Sequence, residues 1–165
     1  MAKELLLVRH GKSDWGNLDL TDFDRPLNKR GKENAPEMAE RLLNKGFKFD
    51  LMVSSPAKRA KTTAKYFAEA FHIKAIQFEK SIYEASAKTL LQLINNLDET
   101  ARTVIMFGHN PGFTDLANNL SGADIYNIPT AGMVLISFPF DSWSMVSQGT
   151  GELVFFDYPK NSDEM

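Results

Sequence analysis

The chain contains no cysteine. That excludes a disulfide framework, a thiolate metal site and a thiolate nucleophile. It also has no long apolar run: the longest are a handful of residues, too short for a signal-peptide core or a membrane span. Charge of one sign is missing too. Nineteen Lys and Arg face 21 Asp and Glu, for a net charge of −2. Such a balance gives no global field to draw in nucleic acid or a membrane surface, so any positive field must be local. No repeat, low-complexity tract or linker interrupts the chain. Histidine is scarce, three residues in all, with no His-x-x-x-His pair and no carboxylates clustered near His10 or His109. No metal and no cofactor are therefore expected. The expected compartment is the cytoplasm.

What is present describes one ordinary globular domain. A chain of 165 residues buries about 70% of the surface its unfolded state exposes, enough for a self-standing core. Leu5–Val8, Asp50–Val53 and Thr103–Phe107 are short apolar runs that read as buried strands, with a shorter one at Ile76–Phe78. Helical spacing of apolar residues marks 31–44, about 57–71, 87–97 and 111–120. Ser55 is a natural N-cap with Pro56 as first helical residue, and Gly46 a natural stop. Met133–Phe138 and Leu153–Tyr158 read as late, antiparallel strands near an edge, joined through Gly149 and Gly151. Strand and helix alternate, which predicts a single-domain α/β sandwich: a largely parallel central sheet with helices on both faces. The domain is expected over residues 1–159, with a polar tail at 160–165.

Two of the three histidines leave the ends of apolar runs. Arg9-His10-Gly11-Lys12-Ser13 follows the first, and Gly108-His109-Asn110-Pro111 follows the third. In an open α/β sheet the carboxyl ends of strands are where ligands bind. Arginine offers a planar fork for phosphoryl oxygens, glycine allows close backbone approach, and Ser13 adds a hydroxyl. Ser54-Ser55-Pro56-Ala57-Lys58-Arg59 places Arg59 in the first turn of a helix, over an N-terminus that attracts anions. Glu84, between a strand and a helix, is either a general acid or a charge that favours the helix start. Arg25, in the polar loop 11–26, either reaches the pocket or makes a surface salt bridge. Either histidine could instead be a packed structural residue. His72, near a helix end, receives no catalytic role.

These elements together resemble the histidine phosphatase superfamily, also called the phosphoglycerate mutase-like family. The resemblance rests on Arg-His-Gly-x-Ser, on Ser-Pro-x-x-Arg-Ala-x-x-Thr-Ala, on the intervening Glu84 and on Gly-His-Asn-Pro, in that order. It covers Leu5 to about Ser137, and the small SixA-type phosphohistidine phosphatases are the most similar branch. The resemblance implies that His10 is the nucleophile that becomes phosphorylated. Arg9, Arg59 and His109 would hold the phosphoryl oxygens, Glu84 would donate the proton, and Ser13, Arg25 and Asn110 would contact substrate. Mutase-like members often carry Asn directly after the loop Trp; here Gly16 follows Trp15 and Asn17 comes one residue later, so Asn17 is not assigned to phosphate. No large cap segment is present, so the expected partner is a protein bearing phosphohistidine. The alternatives are a phosphorylated small metabolite and, in a different class, a non-catalytic phosphate-binding module.

Overall fold

The computed structural model describes residues 2–159. The expected tail at 160–165 lies outside the described residues. Six strands form one sheet: β1 (Lys3–Arg9), β2 (Leu51–Ser54), β3 (Gln77–Phe78), β4 (Thr103–Gly108), β5 (Met133–Phe138) and β6 (Glu152–Asp157), in the order β3-β2-β4-β1-β5-β6. The first four run parallel; β5 is antiparallel to both β1 and β6. Four helices connect them: α1 (Lys29–Asn44), α2 (Lys58–Ala70), α3 (Ala87–Asn95) and α4 (Gly112–Ser121).

The apolar runs are continuous because both faces of the sheet are covered. Successive side chains of a strand point to opposite faces. Leu6 and Val8 pack with Met38, Ala39 and Leu42 of α1 and Phe67 of α2. Leu5 and Leu7 pack with Leu90 and Ile94 of α3 and Phe113 and Leu116 of α4. Each fully buried leucine or valine contributes roughly 1.5–3 kcal/mol of transfer free energy, so a polar residue on either face of β1 would be costly. That leaves the strand ends as the place for chemistry.

The largely parallel sheet, the helices on both faces and the antiparallel final pair all agree with the sequence reading. Two details differ. α2 begins at Lys58 rather than Pro56, with Ala57 at the cap position and no side-chain cap bond. α1 begins at Lys29, because the Asn28 side chain accepts from Gly31 N–H and caps it.

Candidate active site

Register brings the two histidines together. β4 lies between β2 and β1, and Arg9 pairs with Gly108 while Ser54 pairs with Phe107. His10 and His109 therefore emerge at the same level, with Ser55 one residue earlier, beside Gly108. From β1 the chain crosses through α1 to β2 on one side; from β4 it crosses through α4 to β5 on the other. This reversal is the kind of crevice where α/β sheets bind ligands. The His10 and His109 rings lie 5.1 Å apart, centroid to centroid, and both residues are only 7% exposed.

His10 is held on three sides. Its backbone N–H donates to Gly108 O and its carbonyl accepts from Ala131 N–H. Its ring Nδ1 lies 2.6 Å from the Gly11 carbonyl oxygen. A carbonyl can only accept, so the proton sits on Nδ1 and the lone pair on Nε2. Arg59 Nε donates to that Nε2 at 3.3 Å. Gly11 makes a close approach here: a Cβ would lie 3.1 Å from the Gly31 carbonyl oxygen and 3.3 Å from Leu27, which would have to shift. The Gly11 N–H is taken up by Thr63 Oγ1 of α2.

His109 is held differently. Its Nε2 lies 2.8 Å from Ser55 Oγ, and Tyr83 meets its ring edge-on at 5.5 Å. Ser55, expected as the cap of α2, instead links His109 to the turn before that helix, also accepting from Ala57 N–H. Glu84 lines a cleft of about 430 Å³ with His109, Pro111, Gly112 and Asp115. It is exposed and takes a left-handed backbone, φ 57°. For a non-glycine residue this conformation is uncommon and costs of order 1 kcal/mol or more. Gly112 lets the segment come this close, because a Cβ there would lie 2.2 Å from the Ala85 carbonyl oxygen.

The arginines line the same place. Arg9 Nη1 donates to Ile128 O. Arg25 is buried rather than on the surface: it hydrogen-bonds Ser13 Oγ, pairs with Asp22 and stacks 3.6 Å from the centre of the Trp15 ring. Among the described residues, buried side-chain nitrogens or oxygens without a hydrogen-bond partner occur at Arg9 Nε, Arg25 Nε and His109 Nδ1. All three belong to this site. Asn110 lines the cleft with Glu84 and His109. Its amide donates to Asn127 and Ile128 O, and its oxygen accepts twice from Thr114. These bonds clamp the 127–128 loop to α4 and fix the Asn110 side chain at the edge of that cleft.

Sequence reasoning missed Asp22 and Tyr83. Asp22 opens a 3-10 turn, Asp22–Asp24, inside the loop 11–26. Its Oδ1 accepts from Arg25 Nη2 at 2.7 Å, and its Oδ2 from Arg59 Nη2 at 3.0 Å and Tyr83 Oη at 2.6 Å. Its backbone oxygen accepts from Arg59 Nη1 at 2.6 Å. The Asp-x-x-Arg spacing hinted at the Arg25 pair alone.

These contacts set the protonation states. Burial is the main cause that lowers His10 well below its ordinary value; the charges of His109, Arg59 and Arg9 add to it, against the opposing Gly11 hydrogen bond. Burial, then Arg59, lowers His109 to about 3, with Asp22 opposing. Both imidazoles are neutral near pH 7. Partial burial works to raise Asp22, but hydrogen bonds from Arg25, Tyr83 and Arg59 outweigh it and hold the carboxyl well below the usual range. Burial and the Asp22 contact push Tyr83 up to about 12.

The family model of the histidine phosphatase superfamily (branch 1) matches residues 5–115, and the chain belongs to that superfamily. An uncharacterized chloroplastic protein of Arabidopsis thaliana is 32% identical over 153 residues, 87% of this chain and 70% of that one. A 2,3-bisphosphoglycerate-dependent phosphoglycerate mutase of Treponema pallidum is 38% identical over 80 residues, where the match spans 47% of this chain and only 32% of the mutase. Among solved structures, a SixA of Agrobacterium tumefaciens superimposes with a TM-score of 0.82 at 27% identity, covering 96% of this chain and 99% of the other. The fold is SixA-like. No helix among the described residues is long and apolar enough to cross a membrane.

Proposed function

We propose that this chain is a phosphatase that works through a phosphohistidine at His10 and takes its phosphate from phosphohistidine in a protein. One observation carries the reading. The Gly11 carbonyl holds the proton on Nδ1, so the buried His10 ring offers a neutral Nε2 lone pair beside Arg59 and His109. Neutral imidazole is a competent nucleophile, and burial keeps it neutral.

In the first step Nε2 attacks phosphorus and the bond to the leaving group breaks. Arg9, Arg59 and His109 hold the phosphoryl oxygens where charge accumulates, with Arg25 and Ser13 adjoining. The nitrogens of Arg9, Arg25 and His109 that have no protein partner suit such an acceptor. Glu84 protonates a leaving alkoxide; a departing imidazole already protonated on its other ring nitrogen leaves as the neutral ring and needs no such help. In the second step water attacks the phosphohistidine, Glu84 takes its proton, phosphate leaves and Nε2 is regenerated. Splitting one displacement into two is the usual gain of covalent catalysis.

The protein substrate is favoured by the open mouth. Among the described residues the connections at the carboxyl ends of the strands are loops and short turns, with no inserted cap domain. Trp15 and Leu18 in the loop 11–26 are 72% and 92% exposed, and Tyr126, next to the Asn127 held by Asn110, is fully exposed. An open pocket gains little from enclosing a small ligand but admits a side chain projecting from a protein. The test is to mix enzyme with a phosphohistidine protein, quench in base and map the label. Acid-labile, base-stable phosphate on His10 is expected. Phosphate on Ser13, or none despite turnover, overturns the mechanism. A metabolite with a much higher kcat/KM than the phosphoprotein overturns the substrate.

A further inference from the structure

We propose that Asp22 is a specificity-determining residue: its carboxylate, set at the mouth beside both histidines, selects phosphoryl donors whose leaving group carries positive charge and discriminates against anionic ones. The inference deepens the phosphohistidine reading and rests on it for the identity of the natural substrate, but not for its test.

The cations Arg9, Arg25 and Arg59 are packed low, and Arg25 and Arg59 are only 9% and 6% exposed. The Asp22 side chain is 47% exposed while its oxygens are fixed by three donors, Arg25, Arg59 and Tyr83. It is thus a rigid negative charge that still faces solvent. Arg59 connects it to His10 Nε2, and Tyr83 connects it to the His109 ring. A phosphoryl group seated between those rings would lie one side chain away from Asp22, across Arg59 or Tyr83. The three donors keep it ionised through the working pH range.

The cleft beside His109 carries the same sign. Glu84 and Asp115 line the cleft beside His109. The site therefore has a cationic floor for the phosphoryl group and an acidic mouth for whatever is attached to it. A leaving imidazolium or ammonium is attracted as it departs, and a leaving group with a carboxylate is repelled. Two unit charges several ångströms apart near a protein surface, at an effective dielectric constant of tens, differ by about tenfold in rate per unit of leaving-group charge. Salt should weaken the effect, because the mouth is solvated.

The test uses three alkyl phosphates that differ in leaving-group charge: phosphoethanolamine, ethyl phosphate and phosphoglycolate. Their kcat/KM values are measured with wild type, Asp22→Asn and Asp22→Glu. Comparing each substrate between enzymes cancels intrinsic reactivity. Asp22→Asn is expected to shrink the preference for phosphoethanolamine over phosphoglycolate by tenfold or more, mainly by raising the phosphoglycolate rate. Asp22→Glu, which keeps the charge, is expected to retain most of it. An equal fall on all three substrates overturns the proposal and makes Asp22 only a brace for Arg59. An equal rise on all three also overturns it and makes Asp22 a competitor of phosphate. Because all three are esters, the result stands apart from whether phosphohistidine is the natural substrate.

Discussion

The ends of β1 and β4 are built from the same parts, yet they present different imidazoles. Both strands carry a central apolar run, both release a histidine, and both histidines are buried. At β1 the ring is tied through Nδ1 to the carbonyl of the following residue, which directs Nε2 toward Arg59. At β4 the ring uses Nε2 on Ser55 and leaves Nδ1 without a protein partner. Burial alone makes both neutral. The partner of the other ring nitrogen decides which one is an oriented nucleophile and which a contact for oxygen.

The sharpest way to break this comparison is to delete each ring. His10→Ala should abolish the phosphoenzyme and bring turnover to background, while His109→Ala should keep a slow phosphoenzyme and lose ~10²–10³ in kcat. Rapid-quench labelling distinguishes them, and equal losses with no label in either would erase the assigned difference. Glu84 tests the β4 side further. Glu84→Gln should cost an alkyl phosphate ~10²–10⁴, the range for a general acid, and cost phosphohistidine only a few-fold. Equal penalties in parallel kcat/KM measurements would remove its role as acid. Arg59 tests the β1 side: Arg59→Ala should lose ~10²–10³ in kcat, as for a charged donor aimed at the transition state. His72, exposed just beyond α2 with φ 57°, serves as the control and should change activity within a few-fold on conversion to Ala. Comparable losses would mean the site is misplaced.

The smallest expected effect is on stability. An unfolded histidine titrates near 6.5, and folded His109 near 3. Between those values the unfolded chain binds a proton that the folded chain does not, so stability falls as pH drops. His10 acts in the same direction. Between pH 7 and 5 His109 should cost roughly 1–2 kcal/mol, measurable as a drop in the urea midpoint. His109→Gln should lose less over that interval. An identical slope in the variant would show that His109 is not buried neutral.

Much of this was legible before any coordinates. Leu5–Val8 and Val104–Phe107 are continuous apolar runs that proved buried on both faces, whereas the equally apolar Leu153–Phe156 lies on an edge strand and stays partly exposed. Residues that follow such runs must emerge at the sheet's rim, which located His10 and His109. Ser55 shows the limit of local rules: it has the chemistry of a helix cap, but a histidine from another strand lies within reach and takes its hydroxyl. Asn110 shows it again: nothing local announces that its side chain ties the 127–128 loop to α4 through Ile128 and Thr114.

Asp22 marks the division most clearly. By itself the sequence determined the strands, the helix spans and the pair of histidines, because each depends on a pattern within a few residues or on the carboxyl end of a buried run. Only the tertiary structure decided that β4 would lie between β2 and β1, and that the loop 11–26 would fold back to set one carboxylate against an arginine 37 positions on and a tyrosine 61 positions on. Local spacing carries hydrophobic periodicity and caps. It carries no information about which distant charges will meet, because that depends on how the covered sheet orders its strands and where the loops between them close.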